Sequence, residues 1–186
     1  HLVLGVVCMH YEWKWDEADS RFRRALELSE NCALGHSIYA ALLMRQKRFE
    51  EAARHSDLAI QLEAYSLNPS ANRGYLLYVK REYDAAVESL RRTLELDPTS
   101  VVSLEHLSLT YVKMGKHAEA IETATKACDL TGGMQGEISL LGYAHAAAGD
   151  RRSAEKALEN LANAAEKGYV SPTNRAVIHV GLGEKD

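Results

Sequence analysis

Apolar residues recur at i, i+3, i+4 and i+7 along nearly the whole of the 186-residue chain, the spacing of one buried stripe on an α-helix. The pattern predicts paired amphipathic helices rather than one long one. In the third pair, a helix is predicted from Pro69 to Lys80 and a second from Asp84 to Leu96, where Asp97-Pro98 ends it; proline cannot continue a helix and restrains the residue before it. Short turns separate the members of later pairs at Gly115-Lys116 and Gly149-Asp150, where glycine can take the left-handed conformation that closes a helix.

The pattern also repeats on itself. Alanines stand at 18, 52, 86, 120 and 154, a constant step of 34 residues. Three residues before each lies Trp15, Phe49, Tyr83, His117 or Arg151, and seven after it Ala25, Ala59, Thr93, Ala127 or Leu161. Ten after it comes a further apolar column, Leu28, Leu62, Leu96, Leu130 and Ala164. Upstream, Gly5, Ala40, Gly74, Ser108 and Gly142 form a column of small residues. Small side chains at fixed slots let two antiparallel helices approach closely where a leucine would overpack.

A 34-residue helix-turn-helix unit with a small residue in its first helix, aromatic-x-x-Ala opening the second and Leu-Asp-Pro closing it resembles the tetratricopeptide repeat (TPR). The resemblance spans the chain and implies an all-α fold, a TPR-type α-α superhelix (a solenoid of antiparallel helix pairs) of about five and a half repeats. These fall near residues 1–32, 33–66, 67–100, 101–134 and 135–168, with a half repeat at 169–186, forming one domain. The first turn departs from the pattern by an extra residue (Tyr11-Glu12-Trp13-Lys14-Trp15). The second unit has Ala64 where the closing proline is usual, the fourth has Gly132-Gly133 there, and the fifth has Arg151 in the aromatic slot. The double-Trp turn, together with the Tyr169-Val170-Ser171-Pro172 and Gly181-Leu182-Gly183-Glu184-Lys185 ending, is similar to bacterial arrays that follow a winged-helix regulator, a Ser/Thr kinase or a nucleotide cyclase. With no initiator Met and an opening at His1 inside an apolar pattern, the chain is expected to be a piece of a longer protein, and three cysteines without a disulfide framework lead us to expect a reducing, cytoplasmic setting.

Composition narrows the function. A formal net charge of -4 and a pI near 6.1 disfavour a nucleic-acid binder, which carries a basic surplus; the arginine pairs Arg23-Arg24, Arg91-Arg92 and Arg151-Arg152 are interspersed with acids. The apolar run Leu2–Met9 is far short of a membrane span. Cys8, Cys32 and Cys128 form no CxxC pair and read as small hydrophobes. The eight histidines are scattered, with no His-x3-His or His-Glu-x-x-His spacing. Thr131-Gly132-Gly133-Met134-Gln135-Gly136 lacks the lysine and the preceding strand of a phosphate loop. No catalytic residue, cofactor or metal is therefore expected, and an enzyme is the least favoured reading.

What remains is surface. The resemblance implies that first helices line a concave groove, on which helical spacing places Met44, Arg45, Asn72, Tyr75, Tyr78, His106, Leu109, Lys113 and Tyr143. Tyrosine is amphipathic and loses few rotamers on binding, so this face is expected to hold a protein or peptide, with Arg45 and Lys113 meeting carboxylates. The competing reading is that these tyrosines pack between neighbouring repeats. The slots that bind chaperone tails in one TPR subtype want Lys and Asn, and here hold Ser37, Ala41, Ala71, Tyr75, Glu105 and Leu109, which argues against that ligand. Self-association of the array and sensing of a small ligand are the alternatives.

Overall fold

The computed structural model describes residues 1–62 and 67–184. Among them are eleven α-helices: α1 (Leu2–Val7), α2 (Trp15–Leu28), α3 (Ala33–Arg45), α4 (Phe49–Leu62), α5 (Leu67–Val79), α6 (Tyr83–Leu96), α7 (Val101–Lys113), α8 (His117–Thr131), α9 (Gln135–Ala147), α10 (Arg151–Ala165) and α11 (Pro172–Gly181). Ala64 lies outside the described residues. The fold is all-α and of the TPR type. It divides into two compact units, His1–Ser89 and Leu90–Asp186, with the boundary inside α6.

Each second helix begins on the residue three before its signature alanine, at Trp15, Phe49, Tyr83, His117 and Arg151. Those alanines have 0% exposure, because they sit where two helices nearly touch. A Cβ added to Gly5 would lie 2.6 Å from Phe22 of α2, and one added to Gly142 would lie 2.6 Å from Ile178 and 2.8 Å from the Ala157 Cβ. Ser108 occupies the same slot in α7, and its hydroxyl donates to the Ala120 carbonyl of α8 at 2.9 Å, so the polar atom is satisfied inside the contact. The column ten residues after the alanine behaves differently. Leu28, Leu62, Leu96 and Leu130 at the ends of second helices are exposed.

The turns obey the 34-residue step even where glycine is missing. Gly115, Gly149 and Gly183 are left-handed, and so are Trp13, Lys47 and Arg81 in the corresponding places. After each comes a backbone N–H that reaches five residues back: Arg48 to Leu43, Glu82 to Leu77, Lys116 to Tyr111, Asp150 to His145 and Glu184 to His179. In the first turn the Lys14 N–H reaches six back, to the Cys8 carbonyl, over a π-helical stretch at Cys8–Glu12. The extra residue read from the sequence is thus absorbed as a π-turn, which adds one residue per loop. Gly132 and Gly133 are both left-handed and close α8, with the Gly133 N–H on the Cys128 carbonyl.

In the N-terminal unit α2 packs on α3, α4 on α5, and α3 on α5; in the C-terminal unit α8 packs on α9, α10 on α11, and α9 on both α7 and α11. First helices are therefore hemmed in on several sides and bury more of their surface than second helices do. α3 buries Ala33, Gly35, His36, Ser37, Tyr39, Ala40, Leu42, Leu43 and Met44, which spans most of its circumference, whereas α2 buries only Ala18, Phe22 and Leu26. Phe22, Leu42, Leu43 and Leu76 are sealed in the N-terminal core, and Leu161 and Ile178 in the C-terminal one. Each such side chain contributes about 1.5–3 kcal/mol by leaving water.

Candidate functional site

The faces of the first helices come first. Met44 is only 6% exposed and packs among Leu42, Leu43 and Leu76; it belongs to the core and offers a partner almost nothing. The cause is the three-sided burial of α3. In the N-terminal unit, Asn72 of α5 donates its amide N–H to the Ser37 hydroxyl of α3 at 2.7 Å. One α-helical turn on, Tyr75 and Tyr78 stack with ring centroids 5.8 Å apart, and Tyr78 leans on Tyr83 of α6 at 6.1 Å. All three named α5 residues are half-buried, so the tyrosines pack against one another and still present an edge. Arg45, at the end of α3, is exposed and lines a cleft with Trp15 and Asp16 of α2.

In the C-terminal unit, Lys113 of α7 is exposed, and its ammonium donates to the Tyr143 hydroxyl of α9 at 3.2 Å while lying 5.9 Å from that ring's centroid. His106 and Leu109 are half-buried on α7. Glu105, in one of the slots compared with the chaperone-tail subtype, has its carboxyl pushed up by burial and by the neighbouring Glu137, which is itself buried in the first turn of α9. An acidic pair at that slot repels a carboxylate.

Two clusters carried no signal in the sequence, because the contacts that join their elements, Asp19–Tyr39, Asp19–Arg48 and His36–His55, span 19 to 29 residues in no motif. Asp19 of α2 gathers three donors: the Tyr39 hydroxyl at 2.9 Å, Arg48 Nη1 at 2.7 Å and Arg23 Nε at 2.6 Å. Burial pushes its carboxyl up, but the hydrogen bonds from Arg23, Arg48 and Tyr39 outweigh this and hold it below the usual aspartate range. Arg48 also forks onto both oxygens of Glu51, at 2.7 Å each. Close by, His36 and His55 stack and bring their Nδ1 atoms to 2.7 Å, with His36 Nε2 on the Glu30 carbonyl at 2.9 Å.

Several of the chemistry-bearing residues have capping or turn-bridging contacts. Cys32 caps α3 by accepting the Gly35 N–H. Burial, then Asp129 and Glu137, push the Cys128 thiol up, away from the thiolate a nucleophile needs. His145 and His179, 34 residues apart, meet Asp150 at 3.1 Å and Glu184 at 2.7 Å across equivalent turns. Cys8, Glu12 and Glu17 come within 4.8 Å of one another, a group in which the Lys14 ammonium already pairs with Glu12 at 2.9 Å. Among the described residues no helix is long and apolar enough to cross a membrane.

Stacked antiparallel helix pairs with a left-handed residue and a buried small-residue contact every 34 positions define a helical-repeat scaffold. Residues 71–134 match the tetratricopeptide repeat family model, and the same 34-residue register runs through the helices on either side. The chain is 26% identical over 121 residues to a tetratricopeptide repeat-containing protein, trd-1, of Caenorhabditis elegans, covering 64% of this chain and 15% of that protein. It is 27% identical over 110 residues to the human mitochondrial import receptor subunit TOM70, covering 59% of this chain and 18% of that one. It thus spans less than a fifth of either relative. The crystal structure of a thermophilic TPR protein from Thermus thermophilus superposes with a TM-score of 0.80 at 19% identity, over 97% of this chain and 96% of that one.

Proposed function

We propose that the chain is a protein- or peptide-binding scaffold whose first-helix faces receive an extended segment of a partner. One observation carries this reading: the exposed ammonium of Lys113 rests on the phenol of Tyr143 from the next first helix. A cation held on an aromatic support meets a carboxylate with its charge and an apolar or peptide group with its ring. Leu109, one turn before Lys113, adds apolar surface, and His106 a polar edge. In the N-terminal unit the Tyr75–Tyr78 stack beside Asn72 offers the same combination of rigid aromatic area and hydrogen-bonding group.

The likeness to an import receptor subunit supports a receptor-type scaffold, and the raised Cys128 thiol and the structural use of the histidines support a role without catalysis. The resemblance of the first turn and the closing stretch to bacterial regulator arrays supports a place in a larger cytoplasmic signalling or transcription-regulatory protein. A second reading, self-association, is favoured by Val180 on α11, 70% exposed; a light-scattering mass that stays monomeric up to high protein concentration would remove it. The binding reading is tested by screening the chain on a peptide array and repeating the screen with Tyr75→Ala plus Tyr143→Ala. Every bound peptide should weaken at least tenfold. Retention of all of them by the double variant would sink the reading.

A further inference from the structure

Away from the first-helix faces, the N-terminal unit carries an open cleft of about 740 Å³, lined by Trp15, Asp16, Asp19, Ser20, Arg45, Gln46, Lys47 and Arg48. Its walls are the first turns of α2 and the α3–α4 turn. Three of these residues are cations and two are carboxylates. Their charges are not equally available. Asp19 is spent on Tyr39, Arg48 and Arg23, and Arg48 on Asp19, Gln46 and Glu51, so these two form a rigid, internally neutralised floor. Asp16 stands in the first turn of α2, where the helix N-terminus partly offsets its charge. Arg45 and Lys47 make no side-chain hydrogen bond or ion pair among the described residues, and both are exposed.

The corresponding joint is bridged once more in each unit. Lys80 of the α5–α6 turn pairs with Glu50 of α4 at 3.5 Å, and Glu184 after α11 pairs with Arg151 of α10 at 2.6 Å. At the α2 joint the ion pair lies deeper, on Asp19, and leaves two cations above it without a partner among the described residues. Donors are in excess in a second way: the buried indole N–H of Trp15 has no acceptor among the described residues.

We propose that this cleft is a second docking site, separate from the first-helix faces, and that its occupant is an acidic segment of a protein partner, with a carboxylate seated between Arg45 and Lys47. A guanidinium takes a carboxylate bidentately, and the lysine adds a mobile point charge. The Trp15 ring gives the flanking residue of the segment a flat apolar wall. A basic segment would meet two unneutralised cations and is excluded by like charge.

The test uses the full chain, 15N-labelled, titrated with the peptide acetyl-Glu-Leu-Glu-Glu-Leu-Glu-amide, its Gln-for-Glu counterpart and its Lys-for-Glu counterpart. Saturable shifts of the Trp15 indole N–H and of the Arg45–Arg48 amides are expected with the acidic peptide alone, weakening as salt is raised. Arg45→Glu plus Lys47→Glu should weaken the acidic peptide at least tenfold, while the charge-matched Arg92→Glu plus Arg152→Glu should stay within twofold of the parent. Tyr75→Ala plus Tyr143→Ala should also leave this binding unchanged, which separates the cleft from the first-helix faces. The proposal is overturned if the shifts do not saturate, if they fall on Asn72, Tyr75, Tyr78, Lys113 and Tyr143 instead, or if the Arg45/Lys47 reversal leaves the affinity within twofold.

Discussion

Asp19 and Arg48 face each other at 2.7 Å across two consecutive repeats, and the Tyr39 hydroxyl shares the same carboxylate oxygen. The pair ties α2 to the turn that opens α4, with Arg23 holding the other oxygen. Asp19 keeps only 17% of its side chain exposed, so this network differs in kind from the open Arg24–Glu27 pair on the same helix, where both partners are more than half exposed. Asp19→Ala strips the acceptor from three donors and should cost about 1–3 kcal/mol. Arg24→Ala should stay within about 0.5 kcal/mol. Urea melts of the two variants decide it; equal losses would mean that the Asp19 network is no stronger than an ordinary surface pair.

The His36–His55 contact makes a pH prediction whose window differs from that of Asp19. The Glu30 carbonyl can only accept, so His36 carries its proton on Nε2 and its Nδ1 accepts from His55 Nδ1–H, which fixes both tautomers in the neutral pair. Burial, and then His36, push the His55 pKa down to about 4. The unfolded histidine takes up a proton near pH 6.5 and the folded one does not until near 4. The unfolded chain therefore binds more protons between those values, and stability, complete above about pH 6.5, falls as pH drops through that window. His55→Gln should flatten the decline there. Asp19 acts lower: its depressed carboxyl contributes stability that is present above about pH 3.9 and lost as pH falls further. Melts at about pH 7.5, 5 and 3.5 separate the two groups.

The small-residue column predicts overpacking with an internal control. Gly142→Ala places a methyl against Ile178 and the Ala157 Cβ, both under 3 Å from an ideal position, and should destabilise by about 1–3 kcal/mol. Ala120→Leu, on a residue with 0% exposure, belongs to the same class. Gly136→Ala, in the first turn of the same helix as Gly142, meets nothing within 4 Å and should be neutral or stabilising by up to about 1 kcal/mol, since alanine limits the unfolded chain and favours helix. A Gly142→Ala variant as stable as Gly136→Ala would mean that the close contact between α9 and its neighbours is looser than the 34-residue register requires.

How far the sequence announces this molecule depends on whether a feature is periodic. The alanine column and the residue three before it mark the start of every second helix, because the same contact recurs at each step. The π-turn was visible as one extra residue, though not its form. Burial of Met44 was not legible, since helical spacing locates a residue on a helix but does not count the neighbours packed around it. The histidine pair and the Asp19 network were silent for a related reason: each joins residues from different elements once only, and no column repeats them. Polar contacts made once need the fold before they can be seen.

The left-handed turn column gives a last prediction, which the array itself frames. Arg81 has φ 65°, a conformation it shares with Gly115, Gly149 and Gly183 at the corresponding places. A side chain with a Cβ loses about 1–2 kcal/mol there relative to its favoured regions, and glycine does not. The gain is partly offset because glycine also loosens the unfolded chain, by about 0.4–1 kcal/mol. Arg81 is exposed and its side chain makes no hydrogen bond or ion pair among the described residues, so little else is lost. Arg81→Gly should therefore raise stability by about 0.5–1 kcal/mol, seen as a midpoint about 1–4 °C higher in calorimetry. The same substitution at Arg92, inside α6, should lower it by about 1 kcal/mol through helix propensity. Opposite signs for the two arginines are the expected result; a loss at both would show that the turn is held by the Arg81 side chain rather than by its backbone conformation.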